Sequence, residues 1–163
     1  MPTEDNKAVV RQFYEECFNK HHLAAIDTSI DPNEVDHFAP PGTPSGIEGA
    51  RKLIGMFLTA FPDIHVTVED MIAEVDKTVA RITMSGTQQG AFLGIPPTGK
   101  HFSITLIEIN RFEGGKSVEH WAEMNLLSLL QQLGVIPALS GLLFLAGLAA
   151  GMGLLVLLRK VLT

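Results

Sequence analysis

The chain has 163 residues, of which 46% are hydrophobic, and its 12 Lys and Arg against 18 Asp and Glu give a formal net charge of −6. The first 125 residues hold every acidic side chain and all but two of the basic ones, which argues against nucleic acid and anionic lipid as ligands of this part. The single cysteine, Cys17, excludes a disulfide within one chain.

Helical patterns occupy the N-terminal third. Apolar side chains recur at helical spacing from Val9 to Phe18, which predicts an amphipathic helix there. A second helix is predicted over Glu48–Phe61 and ends before Pro62, whose ring cannot continue it. Residues 31–45, between these helices, contain four prolines and are predicted to form extended chain and loop.

Beyond the second helix the hydrophobic period changes to two, which is typical of half-buried strands. Four strands are predicted, over residues 64–69, 78–88, 101–112 and 117–125. A short helix over 126–133 follows, with Gly134 just after its end. Helices that precede an antiparallel meander indicate an α+β fold with the helices against one face of the sheet.

The C-terminal segment differs in character from the rest of the chain. No charged side chain occurs from Ala138 to Leu158, and a helix of this length would measure about 30 Å, the thickness of a bilayer's hydrocarbon core. Arg159 and Lys160 follow, where their charges can reach the lipid headgroups. The alternative, a buried core helix, normally shows a polar stripe. We therefore predict one C-terminal transmembrane helix.

The predicted span also bears on partners and location. Gly147 and Gly151 form a GxxxG pair that allows close approach of another helix, so a membrane-protein partner or a homodimer is expected, with chance spacing as the alternative. The N-terminal residues lack the basic region and apolar run of a signal peptide. We expect a tail anchor over residues 134–163, and a domain over residues 1–133 on the cytoplasmic side of the membrane.

Four segments of the predicted domain carry motifs that occur together in a known family. They are Val35-Asp36-His37, Ala60-Phe61-Pro62-Asp63, the run from Gly86 to Lys100, and the run from Glu119 to Asn125 with Gln131–Gly134. Their order and spacing resemble the SnoaL-like polyketide cyclases, or ester cyclases, over roughly residues 5–136. The resemblance implies an NTF2-like fold, in which a curved antiparallel sheet wraps around helices and leaves an apolar, cone-shaped pocket. It also implies acid–base chemistry on a polyketide ester without a metal or organic cofactor.

The chain departs from the family pattern at two positions. The aspartate that the family carries near the end of the last strand corresponds to Asn125, and a histidine of the family corresponds to Gln88. Both amides are expected to line the pocket. An amide cannot act as a general base near neutral pH, so neither side chain can carry the acid–base step.

Glu123 is the carboxylate that could compensate. In an extended strand Trp121, Glu123 and Asn125 share one face, and we expect this face to line the pocket, with Trp121 as a wall. Burial would then raise the pKa of Glu123 towards neutrality, as a general base requires. The alternatives are a solvated Glu123 and a Trp121 that only packs within the sheet.

His37 is the second candidate for catalysis. The matching histidine of the family faces the pocket, where a neutral imidazole could orient a carbonyl or relay a proton. A histidine bound to loop backbone is the alternative. The remaining histidines lack the spacing of metal ligands, so no metal site and no cofactor is expected.

Two functions are compatible with these features. The amides Asn125 and Gln88 favour a non-catalytic binding or accessory subunit of a membrane complex. The otherwise complete family motifs favour an acid–base enzyme for an apolar, carbonyl-bearing small molecule, with Glu123 and His37 in the key roles. The loss of two ionisable groups narrowly favours the accessory subunit.

Overall fold

The computed structural model describes residues 2–136. No helix within these residues is long and apolar enough to span a membrane. The predicted transmembrane helix, with its Gly147 and Gly151 pair, lies outside the described residues and stays a prediction.

Helices form where apolar side chains recur on one face. They are α1 (Pro2–Tyr14), which continues as a π-helical turn over Glu15–Asn19, α2 (Ala25–Ser29), α3 (Gly46–Ala60) and α4 (Leu126–Gln132). α3 ends as predicted, because Pro62 has no N–H to continue the helical ladder. Asn125 caps the N-terminus of α4, because its Oδ1 accepts a hydrogen bond from Ser128 N at 3.1 Å.

Five strands form one sheet. They are β1 (Ile30–Asp36), β2 (His65–Glu74), β3 (Lys77–Thr87), β4 (His101–Glu113) and β5 (Lys116–Met124). The order across the sheet is β1-β5-β4-β3-β2, and neighbours are antiparallel except for β1 with β5. The four strands predicted beyond Pro62 are confirmed.

The expectation of extended chain and loop over residues 31–45 holds, and the structure adds that the extended part pairs with the sheet as β1. This strand lies at the edge of the sheet, where its pairing with β5 is interrupted between Ile30 and Val35. Pro32 falls within that interruption. A proline is tolerated there because an edge strand does not need every N–H for its ladder.

The helices cover one face of the sheet, as predicted. α1 packs against β2 and β3, and α3 packs against β1, so the apolar side chains of this inner face meet the helices. The aromatic cluster of Phe57, Phe61, Phe92 and Phe102 closes this layer, with neighbouring ring centroids 4.7–6.3 Å apart. The inner face is therefore the apolar core.

The opposite, outer face of the sheet carries an apolar row across four strands. Ile72, Val79, Ile109 and Trp121 are successive register partners from β2 to β5. Ile72 is 66% exposed, and the other three are half-buried. This row leaves a partly exposed hydrophobic surface on the side of the sheet away from the core.

Gly46 begins α3 in a conformation that suits only glycine. Its φ is +63°, and a Cβ there would lie 1.9 Å from the carbonyl oxygen of Pro32 in β1. We expect Gly46→Ala to lower the free energy of unfolding by at least about 2 kcal/mol, because it adds both a strained φ and a clash with backbone. Urea unfolding measures the change. The matched control Gly55→Ala, in open space within the same helix, should be neutral or stabilising, and equal losses in the two variants would contradict this expectation.

Candidate active site

A cavity of about 100 Å³ lies between the helices and the inner face of the sheet. Its walls are mostly apolar and come from α1, the π-helical turn, α3 and the strands. They include Val10, Phe13, Phe18, Leu53, Phe57 and Met84. An apolar cavity with a few convergent polar groups is the usual form of a small-molecule site.

The ionisable side chains of the cavity converge from separate elements. They are Tyr14 at the end of α1, Glu34 and Asp36 on β1, Glu108 on β4, and His120 on β5. Strand register brings three of them together. Asp36 is the parallel partner of His120, and Glu108 lies opposite the residue two positions beyond His120, so all three share the inner face.

Glu108 occupies an inward position of β4 and is only 3% exposed. Its Oε2 accepts a hydrogen bond from the hydroxyl of Tyr14 and lies 3.6 Å from Nε2 of His120. Its Oε1 is buried and has no hydrogen-bond partner among the described residues. A buried polar atom without a partner has given up its hydrogen bonds to water and has gained none in return, which costs free energy. Glu108 therefore lines the cavity and carries one buried carboxylate oxygen that has no hydrogen-bond partner within residues 2–136.

His120 is held by carboxylates at both ring nitrogens. Its Nδ1 lies 2.8 Å from Oδ1 of Asp36. Burial alone would lower the pKa of His120, but the hydrogen bonds to Asp36 and Glu108, together with their charges, raise it to about 10. Burial alone would raise the pKa of the Asp36 carboxyl. Hydrogen bonds from His120 and from the backbone of Phe38 outweigh this effect and hold the pKa below its usual value. His120 is therefore an imidazolium at neutral pH, with Nδ1–H donating to Asp36 and Nε2–H lying 3.6 Å from Oε2 of Glu108.

Tyr14 and Glu34 complete the polar part of the cavity. Burial and the charge of Glu108 raise the pKa of Tyr14 well above its usual value, so the phenol stays protonated and donates to Glu108. Burial likewise raises the pKa of Glu34, although a hydrogen bond from Ser117 partly offsets it. The cavity thus places an imidazolium beside a carboxyl group whose Oε1 has no partner in the described part of the chain, which is the arrangement of a general acid and a general base.

The structure reverses the expected faces of β5. His120 and Ala122 line the cavity, whereas Trp121 and Glu123 lie on the outer face. Asn125 lies beside Glu123 and caps α4. The expected pocket positions of Trp121, Glu123 and Asn125 are therefore corrected. Strand periodicity fixes which side chains share a face, but it does not fix which face meets the helices.

His37 also lies outside the cavity, in a stacked cluster on the outer face. Its ring is nearly parallel to that of Trp121, with centroids 5.0 Å apart. Its Nε2 lies 3.0 Å from Oε1 of Glu119, whose Oε2 accepts a hydrogen bond from Nε of Arg111 at 2.9 Å. Lys77 adds its ammonium 5.7 Å from the centroid of Trp121. The expectation that His37 faces the pocket is therefore corrected.

Gln88 is fully buried, but it holds the loop after β3 and does not line the cavity. Its amide nitrogen donates to the carbonyl oxygens of Gly90, Ile95 and Pro96 at 3.2–3.3 Å. Its Oε1 accepts from the hydroxyl of Thr98 at 2.8 Å. The side chain thus acts as a structural link of the loop, which corrects its expected pocket position.

None of the five ionisable residues that line the cavity was predicted from the sequence, although four of them carried a signal. Glu108 interrupts an alternating series of apolar inward positions on β4. Tyr14 lies on the apolar face of the first helix, where a hydroxyl needs a partner. Asp36 and His120 stand within two of the segments that resemble a known family. Only the pairing of β1 with β5 brings the latter two together.

Comparisons with known proteins agree with this fold. The chain matches the family model of the SnoaL-like polyketide cyclases over residues 8–133. It is similar to the solved structure of TsrD from Streptomyces laurentii, with 35% identity and a TM-score of 0.76 over 82% of this chain and 97% of TsrD. It is also similar to IdmH from Streptomyces antibioticus, with 33% identity and a TM-score of 0.69 over 79% of this chain and 98% of IdmH. No curated protein matches the chain.

Proposed function

The chain belongs to the SnoaL-like polyketide cyclase family, and on this premise we propose that it is an acid–base enzyme that moves a proton on an apolar, carbonyl-bearing small molecule. The observation that carries the proposal is Oε1 of Glu108, which is buried and has no hydrogen-bond partner within residues 2–136, on a residue that lines an apolar cavity beside His120. In this proposal Glu108 and His120 take the roles expected from the sequence for Glu123 and His37, because the former pair faces the cavity.

The proposed first step is an enolisation. Oε1 of Glu108 accepts a proton from the carbon beside the substrate carbonyl, so that a C–H bond breaks and an O–H bond forms. The imidazolium of His120 donates its Nε2 proton to the carbonyl oxygen. The products are a neutral enol, a neutral carboxylic acid and a neutral imidazole. The step creates no unpaired charge in the apolar cavity, where such a charge would be costly.

Ring closure by aldol addition can follow from the same two groups. The enol carbon attacks a second carbonyl carbon of the substrate, and the enol O–H proton returns to Nε2 of His120 as its C=O bond re-forms. The proton on Glu108 passes to the oxygen of the attacked carbonyl, which becomes a hydroxyl. Both side chains then regain their starting charges.

Tyr14 and Asp36 are positioning residues in this scheme. The hydroxyl of Tyr14 occupies Oε2 of Glu108, which leaves Oε1 for the substrate. Asp36 holds the ring of His120 through Nδ1, which leaves Nε2 directed towards Glu108. The contact of Tyr14 therefore selects Oε1 as the reacting atom of Glu108, and the contact of Asp36 selects Nε2 as the reacting atom of His120.

Hydrogen exchange tests the proposed function directly. The full chain is incubated in D₂O with acetophenone, whose methyl protons lie beside a carbonyl, and the loss of the methyl signal is followed by proton NMR. We expect exchange well above that with the same chain after heat denaturation. Equal rates with native and denatured chain would overturn the proposed function.

A second candidate function is the non-catalytic accessory subunit of a membrane complex. The apolar row from Ile72 to Trp121 on the outer face favours it, because a partly exposed hydrophobic surface of this kind suits a partner. The apolar run from Ala138 to Leu158 supports a membrane location. The sequence analysis favoured this function because amides were expected in place of ionisable groups in the pocket. That argument is weaker here, because neither Asn125 nor Gln88 lines the cavity.

We propose that the full chain is tail-anchored, with the catalytic domain on the cytoplasmic side. Placing arginines at Leu145 and Leu148, in the middle of the apolar run, should release the chain from alkali-washed membranes, because each arginine at a helix centre costs about 2.5–3.5 kcal/mol on insertion. Sedimentation followed by immunoblotting measures the partition. Leu162→Arg, beyond the run, is the matched control and should stay with the membrane. Equal partition of all three chains would contradict a membrane anchor.

We further propose that Gly147 and Gly151 contact a partner helix. Replacing both by leucine keeps the run hydrophobic but blocks close helix approach. We expect membrane insertion to persist and association with a membrane-protein partner, or with a second copy, to be lost in a detergent pull-down. Ala149→Leu, on the opposite side of the predicted helix, is the control, and this variant should keep its partners. If the double variant brings down the same partners in equal amounts, this face is not an interface.

A further inference from the structure

The last helix of the described chain exposes part of its apolar side. α4 (Leu126–Gln132) has no charged side chain, and the amide of Gln132 pairs with the backbone N–H and C=O of Ser103 in β4 at 2.9 and 3.0 Å. Leu126 and Leu127 remain 43% and 58% exposed. A surface helix normally buries its apolar stripe and presents its polar side to water. α4 instead bonds a polar side chain to the sheet and leaves two leucines exposed, which suits an apolar partner.

Further apolar side chains continue this surface at both ends of α4. Val135, just beyond the helix, is 44% exposed. Ile107 of β4 is 50% exposed and lies beside Asn125, which caps the helix. We call the four side chains of Ile107, Leu126, Leu127 and Val135 the α4 surface. Exposed apolar side chains that lie together, rather than singly, mark contact with a protein or a membrane.

The position of the α4 surface in the chain favours a membrane. Three residues separate Gly134, after the end of α4, from Ala138, where the charge-free run begins. Even when fully extended, this stretch spans at most about 14 Å from Gly134 to Ala138. The polar layer on each side of a bilayer's hydrocarbon core is about 5–8 Å thick. A bilayer that holds the run from Ala138 therefore brings its headgroups close to the α4 surface.

Resting on the proposed tail anchor, we propose that the α4 surface binds the membrane, with Leu126 and Leu127 inserted into the headgroup layer. The apolar face of an interfacial helix is typically buried by about 5–10 Å at this boundary. Lys100 supplies a suitable charge. It is exposed, and its ammonium lies beside Gly134, where an added Cβ would clash with Nζ. A lysine in this position can extend its ammonium to lipid phosphates.

Quenching by lipid measures this contact. Each full chain carries one added cysteine labelled with the dye NBD, and it is placed in phosphatidylcholine vesicles that contain nitroxide-labelled lipid. The native Cys17 is fully buried, and the parent chain is the labelling blank. We expect the dye in Leu127→Cys to lose at least about half of its fluorescence, because insertion brings it among the nitroxides. Glu113→Cys, about 30 Å along β4 from Ser103, is the matched control and should keep its fluorescence.

Iodide, present on both sides of the vesicle membrane, identifies the other occupants of the α4 surface. Quenching of the Leu127→Cys dye by nitroxide lipid supports the inference whether or not iodide also acts. Quenching by iodide alone would show that the surface faces water, and it would overturn the inference. Protection from both quenchers would show that a protein partner or a second copy covers the surface, which would also overturn it.

A pair of acidic substitutions tests the leucines themselves. In a chain labelled at Gln131→Cys, Leu126→Glu with Leu127→Glu should remove at least about half of the nitroxide quenching, because charged side chains oppose insertion. Acidic side chains suit the first turn of a helix, so the fold should persist, as circular dichroism can verify. Ile72→Glu makes the same change at a side chain that is 66% exposed on the outer face, and it should leave the quenching unchanged. Unchanged quenching in the folded α4 variant would overturn the inference.

The same vesicles separate this inference from the anchor on which it rests. If an alkali wash removes the full chain from the vesicles, the anchor and the inference both fail. If the chain stays with the vesicles but nitroxide lipid does not quench the Leu127→Cys dye, the anchor stands and only the contact of α4 with the membrane fails.

Discussion

Replacing Glu108 by glutamine should reduce the rate of hydrogen exchange at the substrate methyl group by about 10²–10⁴-fold, because the amide cannot accept the proton that Oε1 takes in the proposed step. The two side chains are nearly isosteric, and the amide oxygen can still accept the hydrogen bond from Tyr14. Proton NMR of the ketone in D₂O, with circular dichroism to verify the fold, measures the effect.

The matched control is Glu123→Gln. Glu123 lies on the outer face of the neighbouring strand and was the carboxylate first expected to act as the base. We expect this variant to exchange at the parent rate. Loss of activity in Glu123→Gln, with full activity in Glu108→Gln, would return the catalytic role to the outer face and refute the cavity as the site.

Asp36→Asn should move the alkaline fall in exchange rate from near pH 10 to a lower pH. The parent His120 is an imidazolium below about pH 10, and its proton is lost as the pH rises through that value. The variant removes both the charge and the hydrogen-bond acceptor that raise this pKa, while Glu108 remains. At about pH 9 we expect the variant to keep at most about a tenth of the parent rate.

The same substitution should change how stability depends on pH. Because the pKa of His120 is higher in the folded chain than in the unfolded chain, its contribution is fully present below the ordinary value of 6.5 and is lost as the pH rises through about 10. Asp36→Asn should flatten this loss in urea unfolding across that range. Glu119→Gln, which removes a carboxylate from the outer face of β5, the strand that carries His120, is the control. An unchanged pH profile in Asp36→Asn would show that Asp36 does not set the pKa of His120.

The arrangement of helices and strands was predictable because hydrophobic periodicity is local. The change of period after Pro62 correctly predicted four strands, and the apolar spacing before it correctly predicted the long helices. The pairing of β1 with the sheet was missed for the same reason, since Pro32 reads locally as loop. The strand exists because β5 pairs with it from a distant part of the chain.

The site was less predictable because it depends on facts that no local pattern contains. The alternation along β5 correctly grouped Trp121 with Glu123, yet it could not say which group meets the helices. A tryptophan is a reasonable choice for the inner face, but Trp121 packs on the outer face against His37. The contact of Asp36 with His120 joins residues 84 positions apart. Such a pair follows from sheet order, which the sequence does not state.

The two amides show how contacts that the sequence does not state change the interpretation of function. The resemblance of the sequence led us to expect that Asn125 and Gln88 replace ionisable residues of the family, and on the sequence alone this argues against catalysis. The structure gives each a local task, since Asn125 caps α4 and Gln88 links the loop after β3. The ionisable groups of the cavity are other residues, so the amides no longer weigh against an acid–base function.

The position of a bound ketone tests the central claim most directly. A crystal structure of the chain with acetophenone should place the ketone in the cavity, with its carbonyl oxygen within hydrogen-bond distance of Nε2 of His120 and its methyl carbon against Oε1 of Glu108. A ketone bound instead on the outer face, beside His37 and Trp121, would contradict the claim. So would a ketone in the cavity whose carbonyl oxygen points away from His120.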